Sequence, residues 1–474
     1  MNGRKALGLA FSVMVLLLLT GSGLAGVPPT QPREPVETSG TNASPGANAA
    51  WFVDEIDTDG DTGLYASVAY HPSLGATFVS YYDATNQQLR MARSNGLGCG
   101  PNGEWGCYTF DDDDSGADLG KYSSIAVNPK DGGVGIAYHD ATNGHLKYLY
   151  FENPHLLTHS IYTIDKGITD ISKTGLHTSL AYSEEGTPFI AHYFENPSGV
   201  DALEFAYYTV TNGDCGYDFA ENKWRCHTIK SGEGIGQHPS LVVRDNPVTN
   251  DWDFYISFYN GGTGDLWYGK SVEEPANCGL YGSDMACYPV DASANDVGKY
   301  SSLYVDSAGD FHIAYYDATD HKLMYARELA SGDGNCGVLG SAQCDEIDAM
   351  PGIYHPHGIS IAEDPTGYPA IAYQDANGSL KLARPLAALG LPAGSGNCGP
   401  GDLFSTWYCE TIDPYVSELG GFKYRNGDYV SLAFSPSGLA TIAYYRIYTN
   451  KNDGNLVVAY QRFQNHLPLV ARNP

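Results

Sequence analysis

The chain has 474 residues and a mass of 51.0 kDa, with 26 Lys and Arg against 55 Asp and Glu, a formal charge of −29 at neutral pH. Binding to a phosphate backbone rests on clustered positive charge, so this balance excludes a nucleic-acid binder of the usual kind. With 42% hydrophobic and 17% charged residues the chain can bury a large core, and length alone would divide it into about three domains. Internal repetition overrides that division.

Residues 1–25 read as a secretory signal: Arg4 and Lys5 make a basic start, Ala6 to Thr20 an apolar run, and Gly23-Leu24-Ala25 a small-residue cleavage site. The mature chain is expected to begin near Gly26, secreted and without a membrane span, since no later apolar run is long enough to cross a bilayer. Residues 26–50 are rich in Pro, Ser, Thr, Gly and Ala and form a flexible linker. Residues 464–474 are a short C-terminal tail.

Between linker and tail one unit recurs at intervals of about 60 residues. Its clearest copy is Tyr300-Ser301-Ser302-Leu303-Tyr304-Val305, a turn at Gly309, Ile313-Ala314-Tyr315-Tyr316-Asp317, then Leu323-Met324-Tyr325-Ala326, three short alternating strands. A marker serine counts seven copies: Ser67, Ser124, Ser179, Ser240, Ser302, Ser360 and Ser431. A fourth strand follows in segments such as Trp105 to Asp111 and Trp407 to Asp413. Four strands per copy and seven copies predict an all-β, seven-bladed β-propeller over residues 51–463. The segment Trp51 to Asp57 matches a fourth strand but precedes the first full copy, and the last copy lacks one. The ring is therefore expected to close by pairing of the two chain ends.

The ten cysteines fall into five close pairs: Cys99 with Cys107, Cys215 with Cys226, Cys278 with Cys287, Cys336 with Cys344, and Cys398 with Cys409. After an export signal, an even count in local pairs implies disulfides. Each first cysteine is followed by Gly, which suits a hairpin turn rather than a zinc knuckle.

The repeat resembles the seven-bladed propellers of secreted bacterial proteins built on units like "SSLALDSxGxPHIAYYDxxxxxLKYA", distantly akin to sialidase-type repeats, and the resemblance covers nearly all the mature chain. It implies the fold; such propellers include lectins, adhesion modules, lyases and hydrolases. A sialidase is not expected, because its Ser-x-Asp-x-Gly-x-x-Trp boxes are absent.

In a propeller, the loops joining blades and those after each second strand share one face. The inter-blade loops end in Tyr65, Tyr122, His177, His238, Tyr300, His357 and Tyr429, placed to point toward the central channel, with His357 one residue out of step. They either pack the throat or present aromatic and imidazole groups to a sugar. His192, Tyr445 and Arg446 join them as candidate ligand-binding residues, Arg446 as a bidentate partner for a carboxylate or sulfate. In the loop column Asp83, Asp140, Phe194, Asn260, Asp317, Asp375 and Arg446, the four aspartates suit turn capping. Asp57, Asp59 and Asp61, with the run Asp111 to Asp114, keep calcium open as a metal; no other cofactor is called for. Asp57 also aligns with Asp111, Asp165, Asp291, Asp348 and Asp413, which favours a strand-end role. The expected function is extracellular binding of a glycan or a cell-surface protein, as a monomer, through the His/Tyr-lined face. A glycan-active enzyme of the lyase kind and a purely structural surface module stand as alternatives.

Overall fold

The computed structural model describes residues 49–463 apart from short segments at 102, 112–115, 170, 198, 210–212, 219–220, 247, 249–250, 273–275, 280–284, 352–355, 400–405, 420–421, 450 and 452. The expected signal, tail and most of the linker, and the acidic run 112–114, lie outside the described residues. Among the described residues the regular elements are antiparallel β-strands, with a single 3-10 turn over Leu386–Leu389. They form seven sheets, as the repeat predicts: blade 1 over residues 62–110, blade 2 over 119–165, blade 3 over 173–231, blade 4 over 235–291, blade 5 over 297–349, blade 6 over 359–413, and blade 7 from 422–463 with 49–57. Each is four-stranded, with an extra short strand in blades 3 and 7.

The ring closes as expected. Ala49–Asp57 pairs antiparallel with Asp453–Phe463, with Phe52 opposite Tyr460 and Val53 opposite Ala459. The N-terminal strand thus supplies the outer edge of blade 7, two residues longer than its sequence signature. The core lies between blades rather than within one. Phe78, Leu89 and Met91 of blade 1, for example, pack on Ile125, Ile136 and Phe151 of blade 2. The second strand of each sheet is covered on both faces, which is why all eight residues of Ala76–Asp83 are buried and why these strands read as near-continuous apolar runs.

The marker serine has a direct physical role. Each one accepts the backbone N–H of the residue after the next blade's marker: Ile125 to Ser67, Leu180 to Ser124, Leu241 to Ser179, Leu303 to Ser240, Ile361 to Ser302, Leu432 to Ser360, and Val68 to Ser431, all at 3.0–3.1 Å. The seventh bond completes the circle between blades 7 and 1.

All five cysteine pairs are disulfides, as their spacing predicts. Cys99 is bonded to Cys107 in blade 1, Cys215 to Cys226 in blade 3, Cys278 to Cys287 in blade 4, Cys336 to Cys344 in blade 5, and Cys398 to Cys409 in blade 6, each with Cα atoms 5.9 Å apart. In every case the second cysteine lies on the outer strand and the first on the segment leading into it: Cys107, Cys226, Cys287, Cys344 and Cys409 all fall within their blade's outermost long strand. The bonds therefore staple the third strand's exit to the outer strand, and each short loop would add roughly 2–3 kcal/mol by restricting the unfolded chain. No cysteine is left free, which removes zinc binding by thiolates from consideration. Among the described residues no helix is long and apolar enough to cross a membrane.

Candidate functional site

Every inner strand except that of blade 6 carries two register shifts near its start, as between Thr62/Leu64 and Leu64/Ser67 in blade 1. A bulge re-aims a side chain. Here it turns one residue per blade toward the channel with its backbone in the left-handed region: Tyr65 (φ 54°), Tyr122 (55°), His177 (51°), His238 (51°), Tyr300 (55°) and Tyr429 (50°). For a bulky residue that conformation costs roughly 1–2 kcal/mol. The neighbouring blade holds it in place, since Ser123 donates its hydroxyl to the Tyr65 carbonyl at 3.0 Å and Ser301 to that of His238 at 2.8 Å.

The result is a closed circuit of aromatic rings. Successive centroids are separated by 4.5 Å (Tyr65–Tyr122), 4.6 Å (Tyr122–His177), 4.2 Å (His177–His238), 4.4 Å (His238–Tyr300), 6.4 Å (Tyr300–His357), 5.6 Å (His357–Tyr429) and 4.6 Å (Tyr429–Tyr65). The circuit is tight everywhere except at blade 6. There Gly358 occupies the matching position, and a Cβ on it would meet the Tyr429–Val430 backbone at 3.0–3.2 Å. His357 reaches in from one residue earlier, with its side chain 48% exposed.

Six members of the circuit are half-buried, so the rings both pack the throat and leave part of their surface open to solvent. Burial, with contact from the Tyr429 and Tyr122 hydroxyls, raises the Tyr65 pKa far above its ordinary value, so this hydroxyl stays neutral. Burial also pulls His177 down to about 4 and His238 well below its usual range. Both imidazoles are therefore uncharged at neutral pH, each with one donor and one acceptor nitrogen. His357 differs: its Nδ1 lies 3.2 Å from Asp428 Oδ1, and that hydrogen bond raises its pKa.

A second tier lies beneath the circuit, formed by the residue after each second-strand aromatic. Tyr82, His139, Tyr193, Tyr259 and Tyr445 each stand 6.2–6.4 Å from a ring above. Tyr82, Tyr259 and Tyr445 donate their hydroxyls to Asp118, Asp296 and Asp61 at 2.6–2.7 Å. The paired tyrosines of the repeat, as in Tyr315-Tyr316, are the signal that announces this tier.

Three residues assigned by sequence to the ligand face stand elsewhere or are already engaged. Tyr445 belongs to the second tier and is buried by its bond to Asp61. Arg446 is buried between blades 6 and 7, donating to Asp413 and Glu55, each at 2.5 Å, and to Asn426 at 2.8 Å. Each of its three nitrogens donates to a group of the protein itself, two of them carboxylates. His192 is fully buried between blades 2 and 3, because a second-strand residue of that column points sideways into the neighbouring sheet. Arg446 and His192 therefore do not converge with His177 and His238, the arrangement an anionic-sugar lyase would need.

The acidic residues are similarly occupied. Asp57 accepts the Tyr81 hydroxyl at 2.6 Å and pairs with Arg90 at 2.9 Å, and Asp61 accepts the Gly454 N–H as well as Tyr445. Asp57 also accepts the Asp59 backbone N–H, while the Asp59 side chain is exposed. Asp83, Asp140, Asp317 and Asp375 cap the turns that follow them through backbone N–H groups at 2.8–3.0 Å, as expected. Clefts between blades 1 and 7, lined in part by Tyr70, Ser94, Trp105, Thr441 and Gln461, open on the opposite face among the strand hairpins.

No known family profile and no curated protein matches this sequence. Solved structures similar to it include the polysaccharide lyase Uly1, at 12% identity over 83% of this chain and 89% of that one, TM-score 0.41. Another is a GH93 alpha-L-arabinofuranosidase of Fusarium graminearum, at 11% identity over 84% and 92%, TM-score 0.40. A third is the fucose-specific lectin from Aleuria aurantia, at 10% identity over 77% and 99%, TM-score 0.38.

Proposed function

We propose that this chain is an exported binding module that docks a neutral sugar unit of a glycan on the aromatic mouth of its channel. The observation that carries the reading is the circuit of seven rings, six of them held at a left-handed backbone and all retaining some exposure. Such strained backbone costs free energy and collects at ligand-binding sites, which is where six bulky residues at positive φ point. The C–H faces of a pyranose stack on aromatic rings, while its hydroxyls find donors and acceptors in tyrosine hydroxyls and neutral imidazoles. A net charge of −29 disfavours an acidic polymer.

The test is retention of the mature protein on a panel of neutral and acidic polysaccharides, with new reducing or unsaturated ends recorded alongside. Retention on a neutral polymer is expected, without products, and weakened at least about tenfold by Tyr122→Ala or Tyr300→Ala, a loss of roughly 1.4 kcal/mol. Retention unchanged in both variants would move the site off the mouth, and products on any polymer would make the protein an enzyme.

A further inference from the structure

Neighbouring blades are joined by a recurrent polar contact. An Asp at the end of one blade's outer strand accepts a tyrosine hydroxyl from the second strand of the next blade: Asp57 from Tyr81, Asp111 from Tyr138, Asp291 from Tyr315, Asp348 from Tyr373 and Asp413 from Tyr444. In three of these the third-strand residue opposite the tyrosine is a cation that pairs with the same Asp: Arg90, Lys147 and Lys381. At Asp413 the cation is Arg446. Between blades 3 and 4 the set becomes apolar and cationic, with Phe258 opposite Trp267 and Lys230 Nζ 5.0 Å from the Trp267 ring centre.

Blade 3 reverses the pattern. His192 replaces the tyrosine, and Glu204 stands opposite it where the cation belongs. Asp165 remains, so two carboxyl groups and an imidazole meet, each offering a ligand atom within 4.8 Å of the others. Glu204 is hydrogen-bonded to Asp165. Like charges this close do not both persist without a counter-ion, so the pair takes up either a proton or a cation. The imidazole distinguishes the two. His192 is fully buried, its Nδ1 lies 3.2 Å from Thr174 Oγ1 and from Gly175 N, and its Nε2 has no hydrogen-bond partner. A shared proton would satisfy the carboxyls and leave His192 as it is, whereas a divalent ion would neutralise both carboxylates and engage Nε2, with the ring proton moved to Nδ1 and donated to Thr174 Oγ1 in place of the bond from Gly175 N–H.

We propose that Asp165, His192 and Glu204 form a site for a divalent transition-metal ion of the zinc class, bridging blades 2 and 3. One nitrogen with two carboxylate oxygens suits zinc, while calcium takes oxygen ligands throughout. The Thr174 hydroxyl, which donates to Asp165 Oδ2 at 2.9 Å, orients that ligand from outside. The ion takes the place that Lys147 and Lys381 occupy in blades 2 and 6.

The experiment uses untagged mature protein, stripped with chelator, dialysed against Zn²⁺ or Ca²⁺ and assayed for bound metal and melting temperature. One zinc per chain, a higher melting temperature with zinc, and no effect of calcium are expected. Glu204→Gln should weaken zinc binding more than about tenfold. The double variant His192→Tyr with Glu204→Lys rebuilds the junction of blade 2, and it should fold without zinc and bind none. Absence of stoichiometric zinc in the wild type, equal binding by the double variant, or preference for calcium would each overturn the assignment. Glycan retention is read at a different place, so its loss does not bear on this outcome.

Discussion

Blade 3 carries a histidine where most blades carry tyrosine at two positions, and the two replacements have opposite consequences. At the mouth, His177 sits between Tyr122 and His238 at 4.6 and 4.2 Å, and the circuit is as tight there as anywhere. At the blade junction, His192 removes the hydroxyl that would reach Asp165, and Glu204 adds a second acid. The first position is surrounded by copies of itself, so any flat ring fits. The second answers to a charge, so changing its residue alters what the junction must bind.

Four experiments test that contrast, and the largest effect is expected where charge is compensated by the protein itself. Arg446→Met leaves Asp413 and Glu55 without their shared cation, Asp413 in a buried position, and should cost about 3–5 kcal/mol in chemical denaturation at neutral pH. A loss near zero would mean that junction charges do not govern stability. Tyr315→Phe removes the hydroxyl donated to Asp291 where Met324 stands in the cation's place, and about 1.5–3 kcal/mol should be lost.

Ser124→Ala and Ser360→Ala delete the same inter-blade acceptor on either side of the contrast, one at the junction of blades 2 and 3 and the other at blades 6 and 7. Each should cost about 1–3 kcal/mol. Unequal losses would show that the unusual junction also changes the backbone contact beside it. His177→Tyr restores the common ring residue and should change stability by less than about 1 kcal/mol. It should, however, alter the pH dependence. The His177 pKa falls from 6.5 to about 4 on folding, so the folded state favours its neutral form, and this contribution is present above pH 6.5 and lost as pH falls toward 4. Melting temperature against pH should therefore drop less steeply over that window in His177→Tyr than in the wild type.

The fold was legible because it is written seven times. Ser67 and its six equivalents counted the blades, and the paired cysteines and the stray outer strand at Trp51 each predicted a contact that the structure contains. The mouth was legible for the same reason, as a column of tyrosine and histidine. Arg446 and His192 misled because they were judged by their own chemistry rather than by what stood opposite them. Glu204 escaped notice although the column of Arg90, Lys147 and Lys381 held its signal, a reversal of charge at one repeated position.

Local pattern and repetition by themselves determined the strand order, the number of blades, the disulfides and the residues nearest the channel, because each depends on periodicity and on neighbours close along the chain. Only the tertiary structure decided which acids face a cation, which face a tyrosine and which face one another. Those pairings join different blades, where burial and distance rather than sequence spacing set the energy of a charge.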